Sequence, residues 1–172
     1  MKCNVFHFSH LERHLFWMLA FLMSSCIEFE EASEIPRIDF KTAQSDLVFD
    51  ALGNESKHTQ LVFDIVDGDG NFGLMPEDTL YPFVGHYSHN FYFDVMVKSH
   101  NRFVLWQGLV INFFDIPYSV PQGQNKLLDA RVTIDLFFPK ALLSYDTLYY
   151  RFYVYDRAFN RSNIDSTYVV VF

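Results

Sequence analysis

Thr59-Gln60-Leu61-Val62-Phe63-Asp64-Ile65-Val66, running into Asp67-Gly68-Asp69-Gly70-Asn71-Phe72-Gly73, is the stretch whose reading decides the fold. The first half alternates. Leu61, Phe63 and Ile65 fall on one face and Gln60, Val62 and Asp64 on the other, the period of a half-buried β-strand. The second half places oxygen-bearing side chains at every second position, with glycines between them. A tight backbone of that kind can aim several oxygens at one spot, as a hard cation such as calcium requires.

Outward from this stretch the same period recurs. Residues 37–40 predict a short first strand and residues 46–50 a second short piece, with turn chemistry at Gly53-Asn54-Glu55-Ser56-Lys57. Residues 74–82 read as irregular. Residues 91–97 form a strong strand pattern, and Ser99-His100-Asn101 is a hairpin turn into residues 102–106. A long polar connection, residues 114–125, leads to an alternating strand at 131–136. The last pair is 148–155 and 166–172, joined by Arg157-Ala158-Phe159-Asn160-Arg161-Ser162-Asn163. No helical period appears after the N-terminal segment. About seven strands with turns near every ten residues predict an all-β fold, an antiparallel two-sheet sandwich spanning residues 36–172.

Asp146-Thr147-Leu148-Tyr149-Tyr150-Arg151-Phe152 resembles the tyrosine-corner pattern of immunoglobulin-like sandwiches, with Tyr150 as the corner residue. Phe152 then stands where antibody domains carry a cysteine. The parity turns Leu148, Tyr150, Phe152 and Val154 inward and Tyr149, Arg151, Tyr153 and Tyr155 outward. Trp106 is a candidate core tryptophan.

In an immunoglobulin-like topology the loops after the second and the sixth strands share a pole. Asp67, Asp69 and Asn71 are therefore expected beside Asp156, Asn160 and Asn163, giving a candidate calcium site with ligands from two loops. Asp67, Asp69 and Asn71 also match EF-hand positions 1, 3 and 5, with the Gly73 carbonyl at 7. Phe72 replaces the required glycine and Asp78 the usual glutamate at 12, and no helices flank the loop, which excludes an EF-hand. The competing reading is that Asp and Gly simply cap a tight turn. The outward stripe Tyr149, Arg151, Tyr153 and Tyr155 is a candidate surface for sugar rings or a protein partner, with cross-strand aromatic packing as the alternative.

The N-terminal segment carries Lys2 and Arg13, the apolar run Leu15-Phe16-Trp17-Met18-Leu19-Ala20-Phe21-Leu22-Met23, then Ser24-Ser25-Cys26. That order predicts a secretory signal peptide, residues 1–25, its helical apolar run too short to span a bilayer comfortably. Met23-Ser24-Ser25-Cys26 resembles the lipobox of bacterial lipoproteins, which implies lipidation of Cys26 and a membrane partner through the lipid anchor. Residues 26–35, with Glu28, Glu30, Glu31 and Glu34, read as an acidic tether. Acids directly after the cysteine resemble the surface-export signal of Bacteroidota lipoproteins. The expected location is the outer membrane, on the cell surface, with the periplasmic face as the alternative.

Without Lys2, Arg13 and Glu12, the 147 residues from Cys26 hold 11 Lys+Arg against 20 Asp+Glu, a net of −9. Such a surface repels phosphate backbones, so no nucleic-acid partner is expected. Cys26 is the only cysteine left, so no internal disulfide is expected. His58, His86, His89 and His100 form no zinc-protease motif, and no nucleophile elbow, P-loop or paired cysteines occur; the chain is not expected to be an enzyme.

The acidic loop 63–73, taken with Tyr155-Asp156-Arg157-Ala158-Phe159-Asn160-Arg161-Ser162-Asn163, resembles a group of uncharacterised Bacteroidota lipoproteins with a bacterial Ig-like domain. The resemblance implies fold and location and brings no activity with it. The expected function is a membrane-anchored envelope lipoprotein serving as a binding or structural module, with calcium as a candidate stabiliser and an envelope protein or glycan as candidate partner; the alternative is a glycan-binding surface lipoprotein that uses the Tyr149, Arg151, Tyr153 and Tyr155 stripe.

Overall fold

The computed structural model describes residues 32–108, 111–120 and 126–172. The expected signal peptide, its helix and Cys26 lie outside those residues.

The fold is a sandwich of two antiparallel sheets. One contains β1 (Arg37–Phe49), β2 (Glu55–Asp67) and β6 (Leu128–Pro139), in the order β1-β2-β6. The other runs β4 (Arg102–Leu105), β3 (Phe91–Ser99), β7 (Thr147–Val154), β8 (Asp165–Ser166). In it β5 (Phe113–Phe114) also pairs with β3, and β9 (Val170–Val171) with β7.

Alternation explains the core. Leu61, Phe63 and Ile65 from β2 are fully buried, as are Leu148, Tyr150, Phe152 and Val154 from β7. Phe63 and Phe152 face each other across the two sheets with ring centroids 5.2 Å apart, and Phe91 packs on both. An aromatic contact thus joins the two sheets in mid-core. Burying each such side chain contributes roughly 1.5–3 kcal/mol.

Five expectations need correction. The two short pieces at 37–40 and 46–50 are one strand, β1, continuous with β2 through a hairpin at residues 50–54. The Asp50 carboxylate closes that turn by accepting from the N–H groups of Leu52 and Asn54 and from the Asn54 amide. The register shifts between Phe40 and Thr42, so Ile38 faces inward before the bulge and Ala43 after it. That change of parity makes one strand look like two in sequence. The last strand, expected over residues 166–172, is broken into β8 and β9. The break is at Thr167, whose hydroxyl accepts the Tyr150 N–H while its own N–H reaches the Tyr150 carbonyl.

Third, Tyr150 makes no tyrosine corner. Its hydroxyl crosses the core to Thr59 Oγ1, 3.1 Å away, instead of bonding the backbone just upstream. Fourth, Lys57, read as part of a turn, lies inside β2 and is fully buried. It donates to Asp146 Oδ1 at 2.9 Å and to the Tyr145 carbonyl, above the Phe172 ring. Trp106 sits at the sandwich edge after β4, partly buried against Phe138, and is no central core residue.

The hairpin at Ser99-His100-Asn101 forms as expected, with His100 and Asn101 both at positive φ, the conformation two-residue hairpin turns require. The free edge of β1 is closed by side chains near the C-terminal strands. Asn163 brackets Ile38 through both its N–H and its carbonyl, each at 2.9 Å. Asp165 Oδ2 accepts from Phe40 N–H at 2.7 Å, and the Tyr168 hydroxyl bonds the backbone of Ala43. These contacts stop that edge from templating another strand.

Candidate metal centre at the acidic pole

Phe63 and Phe152 meet in mid-core, and Asp67 and Asp156 each follow four residues later on strands leading to the same end. The two turns therefore converge, as the sequence predicts. Asn71 Oδ1 accepts the Arg157 N–H at 3.3 Å, which stitches the loop after β2 to the turn after β7. Two glycines allow this packing. A Cβ on Gly68 would lie 2.2 Å from the Ala32 carbonyl oxygen, and the Gly68 N–H donates to the Ser33 carbonyl at 2.9 Å. Gly73, at φ +105°, packs so tightly that a Cβ would lie 2.4 Å from the Tyr118 Cα. The Leu74 N–H then bonds the Ile116 carbonyl, and the Tyr118 N–H bonds the Leu74 carbonyl.

The three carboxylates at this pole are not equivalent. Asp69 accepts from its own loop: Asn71 N–H at 3.3 Å and the Asn71 amide at 2.5 Å. Asp156 is buried, and Asn160 holds it through its N–H at 2.7 Å and its amide at 2.8 Å. Asp67 has no exposed surface, and neither of its carboxylate oxygens has a hydrogen-bond partner. Asp67 contributes the only such orphaned oxygens among the buried side chains described. Burial, then the charges of Asp69 and Asp156, push its carboxyl up to about 7. The N–H groups of Phe72 and Asn71 oppose that shift without reaching hydrogen-bond geometry. Burial also raises Asp156, against the bonds from Asn160 and with the charge of Asp69.

Arg157, the cation nearest in sequence, is engaged elsewhere. Its guanidinium bonds both carboxylate oxygens of Asp78, at 3.1 Å for Oδ1, and packs against the rings of Phe83 and Tyr118. Asp78, which matches EF-hand position 12, is thereby turned to Arg157 and to the Met75 N–H, outside the carboxylate group. Asn163, expected at the pole, brackets β1 instead. Asn71 and Asn160, expected as ligands, donate their amide N–H groups to Asp69 and Asp156, and the Asn71 amide oxygen accepts from the Arg157 N–H. Among the described residues, no three His, Cys, Asp or Glu side chains already converge at metal-ligand distance.

The other candidates are elsewhere. The stripe on β7 lies on the outer face: Tyr153 stacks on Tyr92 at 5.6 Å, Tyr155 meets Tyr153 edge-on, and Tyr149 meets Phe103. Arg151 pairs with Asp94 at 2.7 Å. His86 lies against Tyr92 and Tyr155, whereas His89 bonds Asp115 at 2.6 Å. His58 bridges Asp46 and Asp135, each at 2.9 Å. The sequence carries no local signal for the Asp135 arm of that bridge, for the burial of Lys57 or for the Arg157–Asp78 pair, because those partners lie far along the chain. No protein-family model matches the chain, and no curated protein or solved structure matches it either.

Proposed function

We propose that this protein is a lipid-anchored module of the bacterial cell envelope. In this reading acylated Cys26 holds it to the outer membrane, and the β-sandwich serves binding or structural contacts at the cell surface. The observation that carries the reading is where the domain begins. The Ser33 carbonyl, seven residues after Cys26, already accepts the Gly68 N–H at 2.9 Å. A signal peptide, a lipobox-like Met23-Ser24-Ser25-Cys26 and a short acidic tether thus lead directly into a domain that needs no disulfide. Two or more acyl chains, at about 0.8 kcal/mol per buried methylene, give stable anchoring where one chain does not. Labelling with an alkyne fatty acid tests the proposal: Cys26→Ala is expected to lose the label and leave the membrane fraction. A variant that stays labelled and membrane-bound refutes it. Protease added to intact cells separates the surface from the periplasmic face.

A second reading, glycan capture, is favoured by the contiguity of His86, Tyr153 and Tyr155 around a buried Tyr92, with ring centroids 4.7–6.0 Å apart. Amphipathic rings of this kind offer flat apolar faces with polar edges. Soluble glycans are expected to perturb tyrosine fluorescence, and Tyr153→Ala to remove the response. No response to any glycan in a broad panel refutes this reading.

A further inference from the structure

We propose that the pole formed by the loop after β2 and the turn after β7 is a calcium site, with buried Asp67 as its anchoring ligand and Asp69 and Asp156 as the carboxylates that close in on the ion when it binds. Asp67 is the decisive group. Native proteins rarely leave a buried side-chain oxygen unpaired, and here both oxygens of one carboxylate are bare inside a closed loop. Taking an ionised carboxylate out of water without a partner is costly unless an opposite charge offsets it. Among the described residues no side chain supplies that charge, because Arg157 is committed to Asp78 and to two aromatic rings.

The neighbours fit the role. The Arg157 N–H bond to Asn71 Oδ1 holds the loop that carries Asp67 and Asp69 against the turn that carries Asp156. Asn71 and Asn160 fix Asp69 and Asp156, each through one backbone and one amide hydrogen bond, which leaves the remaining lone pairs for a cation. The ligand atoms are hard oxygens. The nearby histidines are turned to Asp115 and to the Tyr92–Tyr155 cluster, so zinc chemistry has no ligand set here. An irregular loop with Gly68 and Gly70 supplies adaptable carbonyls of the kind calcium accepts, in contrast to the strict octahedron of magnesium.

The consequence reaches beyond the ion. Gly68 is bonded to Ser33, so a cation that fixes residues 67–71 against residues 156–160 also fixes the residues by which the chain enters the domain. Calcium at this pole would stiffen the end of the sandwich next to its tether.

The test is calcium titration of the full chain in detergent after chelator treatment, read by calorimetry and by thermal melting. The expected result is a single saturable site with Kd on the order of 10⁻⁴–10⁻³ M, as in extracellular modules, and a midpoint that rises with calcium. Asp67→Asn and Asp156→Asn are each expected to weaken binding at least about tenfold, the loss of one carboxylate ligand. Should Asp67→Asn fail to fold, Asp69→Asn, at a half-buried carboxylate, gives the same reading. Absence of heat and of any midpoint shift at millimolar calcium overturns the proposal. So does binding that survives all three substitutions, and an equal response to magnesium overturns the choice of calcium. Lipid labelling at Cys26 is a separate readout, so failure of the metal site and failure of the anchor are distinguishable.

Discussion

Asp67→Asn removes one charge and almost no volume, and its effect on stability is expected to depend on calcium. In chelator at pH 7.5 the wild-type carboxylate must ionise in a site with no exposed surface and no hydrogen-bond partner. Its carboxyl is displaced from 3.8 to about 7, roughly three pH units, and each unit corresponds to about 1.36 kcal/mol, so the ionised form costs about 4 kcal/mol. An unpaired asparagine amide in the same place costs about 1–3 kcal/mol. The metal-free variant should therefore exceed the wild type by about 1–3 kcal/mol. The sign follows from linkage: a folded carboxyl raised above its unfolded value leaves stability untouched at pH below 3.8, where both states are protonated. The wild type then loses ground from about pH 4 to about pH 7, and the difference levels off above that. Calcium at a hundred-fold excess over Kd adds about 2.7 kcal/mol to a protein that binds it, and nothing to one that does not. The variant's advantage should accordingly shrink by about 1.3 kcal/mol if the substitution weakens binding tenfold, and by up to about 2.7 kcal/mol if it abolishes binding, which is enough to reverse it. Urea unfolding followed by tryptophan fluorescence, with chelator and with calcium from pH 4 to 8, measures both effects. If Asp67→Asn is the less stable protein in chelator at pH 7.5, the carboxylate is serving as an ordinary turn cap and the reasoning fails.

Three further outcomes are expected. Phe152→Ala opens a cavity opposite Phe63 and should cost about 3–5 kcal/mol in urea unfolding; a cost under about 1 kcal/mol would mean the two sheets do not meet there. Tyr150→Phe removes one buried hydrogen bond to Thr59, which keeps Ser45 at 2.9 Å, so the loss should be about 1 kcal/mol. A local tyrosine corner in place of this contact would leave the Thr59→Val, Tyr150→Phe pair additive, whereas the direct bond makes the two substitutions non-additive. His58 is raised: burial opposes the shift, and the hydrogen bonds that its ring donates to Asp135 and Asp46 outweigh it. Its contribution to stability is complete at pH below 6.5 and fades as pH rises through the higher folded value. His58→Gln should thus narrow its gap to wild type from pH 6 to 9, and a gap that stays constant would disprove the bridge.

The inward faces of β2 and β7 are legible in sequence because alternation at period two is local: Leu61, Phe63, Ile65, Tyr150 and Phe152 need no partner to declare their side. That two acidic turns share one pole also follows from sequence, once the strands are ordered as a sandwich. The continuity of β1 escapes it, because the bulge between Phe40 and Thr42 reverses the alternation midway. The same limit applies to Lys57, whose partners Tyr145 and Asp146 lie nearly ninety residues on.

From its residues alone, this chain determines an all-strand body and the clustering of Asp67, Asp69 and Asp156 in two turns. Only the tertiary structure decides which of those carboxylates is bare. Asp69 and Asp156 meet asparagines close in sequence, whereas the isolation of Asp67 is set by what the folded loop excludes, water and Arg157 alike. Burial and hydrogen-bond satisfaction belong to the assembled sandwich, and no local pattern of residues carries them.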